Sequence, residues 1–188
     1  MVEGSMQDMA SAWYQGLIRS DESAFEALFR TFHQGLVQFA IGLTGDEASA
    51  RDVVQEAFIR IWRQRERLDP AGSPKALLFR TVRNLALNHR RDTARRQELL
   101  AEKYEAPAEV VPPPTLSTDE PSAADTLRIW VEELPDRQRE ALVLSRFEGL
   151  SHQEIADVMD LSARTVNNHL VRALRSLRER AAGAAHDR

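Results

Sequence analysis

The chain has 188 residues, no cysteine, a net charge of −4, 43% apolar residues and 29% charged residues. Disulfides and cysteine-ligated zinc are excluded, wholesale disorder is not expected, and the length suits one ordinary domain or two small ones. No apolar run approaches the roughly 20 residues of a membrane helix, and Met1 to Ala12 lacks the basic flank and apolar core of a signal peptide, so a cytoplasmic protein without membrane insertion is expected.

Residues from about 7 to 103 read as helical. Phe25, Leu28, Phe29, Phe32, Leu36, Phe39, Ala40 and Leu43 recur at helical spacing, with Ser20 as a possible cap and Thr44-Gly45 as the break. A second helix opens at Thr44-Gly45-Asp46-Glu47, a possible capping box, and carries Ala50, Val53, Val54, Ala57, Phe58 and Ile61. Asp69-Pro70-Ala71-Gly72 ends that element. Ser73-Pro74 then starts a third helix, with serine as cap and proline in the first turn, bearing Leu77, Leu78, Thr81, Val82, Leu85 and Ala86. Residues 104–121 hold five of the eight prolines and read as a linker. From about 122 to 181 four short helices are expected. Ser122 caps the first, Pro135 begins the second and Gly149 ends it, Ser151-His152-Gln153-Glu154 is a capping box for the third, and Ser162 caps the fourth. The predicted fold is all-α, with two small helical domains joined by a Pro-rich linker.

Charge is unevenly spread. Lys75 to Arg96 holds seven basic residues against Asp92, and Ala163 to Arg180 holds five against Glu179, whereas Glu105 to Glu140 holds nine acids against three arginines. Two basic blocks in an acidic chain point to two contacts with phosphate. Arginine-rich helices are also common as plain solvated faces.

The strongest local signal is Ser151 to Leu177. A short helix, a turn at Asp160-Leu161 and a longer basic helix have the layout of a helix-turn-helix, with Ile155, Ala156, Val158, Leu161, Val166 and Leu170 as the shared core. Asp160 stands where glycine is common, and aspartate tolerates the left-handed conformation. The second helix offers Arg164, Thr165, Asn167 and Asn168 at its start and Arg172 and Arg175 further along. Arginine and asparagine read guanine and adenine edges, and arginine also follows phosphates. A helical hairpin with a polar surface explains the apolar stripe but not this concentration of Arg and Asn.

At these residues the chain resembles the extracytoplasmic-function (ECF) group of sigma-70 family RNA polymerase sigma factors. Leu134-Pro135, Arg139-Glu140, Gly149-Leu150-Ser151, Glu154-Ile155-Ala156 and Thr165-Val166 match sigma region 4 in order and spacing. This half also resembles the helix-turn-helix of response regulators, so the N-terminal half decides. Asp52 to Trp62 is similar to region 2.2, and the basic helix from Pro74 to Arg91 looks like regions 2.3 and 2.4, best over Arg83-Asn84-Leu85-Ala86-Leu87-Asn88. Many relatives have tryptophan where this chain has Leu77.

The resemblance implies three surfaces. Asp52, Gln55, Glu56, Ile59 and Arg60 would dock on core RNA polymerase. Arg80, Arg83, Asn84, Asn88, Arg90 and Arg91 would meet the minus-ten element, where asparagine can read a base extruded from melted DNA; Phe79 could stack or be core. Arg164, Thr165, Asn167, Asn168, Arg172 and Arg175 would read the minus-thirty-five element. Promoter DNA, core polymerase and an anti-sigma factor are the implied partners. The expected domains are 7–103 for region 2, 104–121 for an acidic linker that resembles the connector in the polymerase RNA path, and 122–181 for region 4; no third domain fits between Arg96 and Ser122. The competing reading is a response-regulator-like factor binding duplex DNA as a dimer. An enzyme is not expected: there is no phosphate-binding glycine loop, HExxH metal site or nucleophile elbow, the five histidines are scattered, and no cofactor or metal is implied.

Overall fold

The computed structural model describes residues 12–103 and 122–186, which among them form eight α-helices and no strand. We label them α1 (residues 12–18), α2 (Glu22–Thr44), α3 (Glu47–Gln64), α4 (Pro74–Lys103), α5 (Ala123–Glu132), α6 (Asp136–Arg146), α7 (His152–Met159) and α8 (Ala163–His186). The expected linker 104–121 and residues 7–11 lie outside the described residues.

Local chemistry fixes the helix ends. Asp21, not Ser20, caps α2: its carboxylate accepts from the Ser23 amide at 2.9 Å. Ser20 sits instead in a left-handed turn at φ 63°, where its hydroxyl accepts from Arg65 Nε at 2.8 Å. Gly45 ends α2 at φ 90°, a conformation glycine adopts without steric cost. The cap of α3 is Asp46, bonded to the Ser49 amide at 2.8 Å, while Thr44 donates back to the Ala40 carbonyl at 3.0 Å. The expected box at Thr44 is therefore a single aspartate cap. Ser73 caps α4 through the Ala76 amide at 3.2 Å, as its position before Pro74 predicts. Ser122 and Ser151 both make full capping boxes, with Asp125 and Glu154 respectively. α6 stops at Arg146, three residues short of Gly149, which takes φ 65° in the turn that follows. α8 is long, at 24 residues, and continues past the expected end at 181.

In the N-terminal half, α2, α3 and α4 pack against one another with Tyr14 and Leu17 of α1. Leu36, Val54, Ala57, Phe79 and Val82 are completely or almost completely withdrawn from solvent. Phe79 is core: its ring stands edge-on to Phe39 at 5.2 Å and is unavailable to stack on a base. In the C-terminal half, α6, α7 and α8 enclose Leu144, Ile155, Val158, Met159 and Val166, and α5 lies across α8. The two halves also pack together, mainly α4 against α7, so that their buried apolar residues form one contiguous cluster. Among the described residues no helix is long and apolar enough to cross a membrane.

Candidate nucleic-acid interface

The turn between α7 and α8 is built as the sequence implies. Asp160 closes α7 in the left-handed region, φ 56° and ψ 54°, and its amide donates to the Ala156 carbonyl. Ser162 then caps α8 through the Thr165 amide at 3.1 Å. Ala156 is buried where the two helices meet, and its small side chain permits close approach.

A helix advances about 100° per residue. Val166, Leu170, Ala173 and Leu177 therefore share one side of α8, and the first three are buried. Arg164, Asn168, Arg172 and Arg175 fall within about 80° of each other on the opposite side, with Asn167 at its edge. All five are exposed. Thr165 is half-buried, and its hydroxyl shares a 2.8 Å hydrogen bond with Ser162, so its first task is capping. The exposed set runs about 16 Å along the axis and carries no acid. Such a ridge of donors has the dimensions of a helix laid in a major groove.

The six basic and amide residues foreseen on α4 divide between two faces. Arg80, Asn84, Asn88 and Arg91 lie within about 80° of one another and are exposed. Asn84 and Asn88 border a polar cleft between α3 and α4 whose lining also includes Arg60, Gln64, Leu68 and Thr81. The cleft, of about 190 Å³, offers amide and guanidinium groups together with an apolar wall. Arg83 and Arg90 point elsewhere, toward the C-terminal half. Arg90 remains exposed, 3.6 Å from Asp136. Arg83 is only 5% exposed and donates from Nε to the Glu140 carboxylate, so the structure withdraws it from the DNA-facing set foreseen in the sequence.

On α3, Asp52, Gln55 and Ile59 form an exposed row, with Ile59 37% exposed. Glu56 is half-buried and accepts from Arg60 Nε at 2.7 Å, one helical turn on. Arg60 thus stands at the edge between this row and the polar cleft.

Sequence reasoning passed over Gln64 and read Thr81 as part of the apolar stripe of α4, although Thr81, Asn84 and Asn88 at i, i+3 and i+7 carried the signal of the cleft. It also read Glu140 only as part of the Arg139-Glu140 motif and assigned it no partner. An acid directly before the buried Ala141 and Leu142 marks a charge drawn inside, which requires a partner.

A helix-turn-helix with a bare basic ridge, attached to a helical bundle with a second basic helix, defines a two-part DNA-binding protein. Comparison narrows the class. The family models for sigma-70 region 2 and sigma-70 region 4 match residues 28–96 and 131–177. The chain is 33% identical over 158 residues to the ECF RNA polymerase sigma factor SigE of Mycolicibacterium smegmatis, covering 83% of this chain and 61% of that protein. It is 31% identical over 165 residues to the RNA polymerase sigma-H factor of Pseudomonas aeruginosa, covering 82% and 84% of the two chains. With the ECF sigma factor SigL of Mycobacterium tuberculosis it shares 31% over 167 residues, 87% of this chain and 92% of the relative. In fold it is similar to CnrH, solved with the cytosolic domain of CnrY, at a TM-score of 0.66, 23% identity and coverage of 93% and 98%. It is also similar to the sigma factor RpoE of Bartonella quintana, solved with the anti-sigma factor NepR, at 0.62, 22% identity and coverage of 82% and 94%.

The chain belongs to the sigma-70 family of RNA polymerase sigma factors, in the ECF group. Sigma factors are transcription initiation factors, and the region 2 match favours this reading over a dimeric response-regulator-like factor.

Proposed function

We propose that this chain binds core RNA polymerase and directs it to a particular set of promoters, as a binding subunit without enzymatic activity of its own, in the cytoplasm. In this reading residues 122–181 recognise the minus-thirty-five element. Arg164, Asn167 and Asn168 touch base edges, Arg172 and Arg175 hold phosphates, and Thr165 stiffens the helix start. Residues 7–103 ride on polymerase through Asp52, Gln55, Glu56, Ile59 and Arg60. Their exposed α4 face, Arg80, Asn84, Asn88 and Arg91, meets the minus-ten strand, with Arg83 and Arg90 joining once region 4 has moved away. The cleft beside Asn84 and Asn88 suits an unstacked base, since amides read base edges while Leu68 and Leu77 face the ring. Residues 104–121 act as an acidic tether, and an anti-sigma factor restrains the protein until its signal arrives.

The observation that carries this reading is the α8 ridge, five exposed Arg and Asn side chains opposite a buried apolar stripe. Its test is transcription in vitro with core polymerase on a genomic DNA library. Addition of the protein should create a distinct set of start sites sharing two upstream elements, and Asn168→Ala should blur the upstream one while leaving polymerase binding intact. A protein that leaves the start sites of core polymerase unchanged would refute it.

A further inference from the structure

The polar ridge of α8 contains one apolar side chain. Val171 is 47% exposed, and among the described residues it is the one large hydrophobic of α8 left open to solvent. Singly exposed apolar residues are common on protein surfaces, and what sets this one apart is its place. At about 100° per residue it falls in angle between Asn167 and Asn168. Its neighbours one turn away on the helix surface are Asn167, Asn168, Leu174 and Arg175. Three of the four are exposed polar members of the ridge, and Leu174 is half-buried. On α8 itself Val171 therefore belongs to no apolar patch that a protein partner would cover.

Arg164, Asn167, Asn168 and Val171 stand at i, i+3, i+4 and i+7, within about 100° of one another. In homeodomains the four residues of the recognition helix that read the major groove have this same spacing. The fourth reading position of this helix is thus filled by valine. The major-groove edges of the base pairs carry donors and acceptors, and one apolar feature, the C5-methyl group of thymine.

We propose, on the basis of the promoter function above, that Val171 is a specificity-determining residue: its methyl groups pack on the C5-methyl of one thymine in the minus-thirty-five element, beside the base pairs read by Asn167 and Asn168. Beyond Val171 the face continues with Arg175, whose longer side chain reaches out to phosphate.

The choice of valine suits that contact. It ranks below arginine, lysine and glutamate as a helix former, so an exposed position in mid-helix gains nothing locally from it. Its branched side chain holds essentially one rotamer in a helix, so little freedom is lost when it meets a fixed methyl group. It has no donor or acceptor, so it leaves no unpaired polar atom against the methyl and offers no bond to the cytosine amino group that would take its place.

Deoxyuridine differs from thymidine by the C5-methyl alone, which permits a direct test. Core polymerase carrying the full-length chain is bound to a promoter fragment found by transcription in vitro, and each thymine of the upstream element, on either strand, is replaced singly by uracil. One replacement should weaken binding of the wild type by about fourfold, the worth of one buried carbon group. Val171→Ala, which withdraws both methyl groups and favours the helix, should bind the thymine and uracil forms of that fragment alike. Circular dichroism checks that the helices persist. An upstream element without thymine, a wild type indifferent to every replacement, or a variant that keeps the fourfold difference overturns the role of Val171 and leaves the promoter function standing. If the protein directs polymerase to no start sites, the promoter function fails and the role of Val171 fails with it.

Discussion

Replacing Glu154 with alanine tests the joint at which a helix cap and the contact between halves coincide. One carboxylate oxygen accepts from the Ser151 amide at 2.9 Å and the Ser151 hydroxyl at 2.8 Å, and the other accepts from Ser73 Oγ at 2.6 Å. The acidic half of a capping box is worth about 0.5–1 kcal/mol. A hydrogen bond to a charged, half-buried acceptor is worth about 1.5–3 kcal/mol, reduced here because Ser73 keeps its bond to the Ala76 amide. Glu154→Ala should therefore cost about 2–3 kcal/mol at pH 7, lowering the melting temperature by about 4–12 °C for a chain of this size. Burial alone would raise the Glu154 carboxyl, but the bonds from Ser73 and Ser151 and the nearby Lys75 together hold it below the ordinary value of 4.5. An acid so depressed gives its stability above pH 4.5 and loses it as pH falls through the lower native value. The gap between wild type and variant, measured by urea unfolding followed at 222 nm, should be full at pH 7 and narrow as the solution is acidified below pH 4.5. A gap under about 0.5 kcal/mol at pH 7, within the range of ordinary surface changes, would refute the reasoning, as would a gap that widens in acid.

Other outcomes follow from the same geometry. Ile155→Ala, at a position with no exposure, should cost about 2–5 kcal/mol in urea unfolding through the cavity it leaves. Asp160→Gly should stabilise the turn and Asp160→Val should destabilise it, each by about 1 kcal/mol in thermal melts, because the position requires φ near 56°. Asn168→Ala should weaken binding of the polymerase complex to its matched promoter by about 1–3 kcal/mol, roughly 5- to 150-fold, with little change on mismatched DNA in filter binding. Ile59→Glu should reduce co-purification with core polymerase without lowering the melting temperature, since the side chain it replaces already meets solvent.

The helix-turn-helix was legible because each of its parts is local. Ser151 to Glu154 spells a capping box, Asp160 tolerates the turn, and Val166 to Leu177 repeats at helical spacing, so neighbours within a few residues determine the geometry. The division of α4 into two faces was legible in principle, since angular position follows from residue number. The identity of what covers the second face was not. Arg83 pairs with a residue 57 positions away, and no periodicity in either segment specifies that distance in space. The cap of α2 was misplaced by one residue for a similar reason: Ser20 and Asp21 are both competent, and a bond from distant Arg65 holds the serine in the turn.

The contiguous apolar core has a further consequence for how the molecule comes apart. Because Leu78 and Phe79 on one side and Leu144 and Ile155 on the other belong to a single buried cluster, heating should produce one calorimetric peak instead of two. A lesion in the N-terminal bundle would then expose the C-terminal one to proteases as well. The contact between the halves would also protect each of them against degradation, so any event that separated them would shorten the lifetime of the chain.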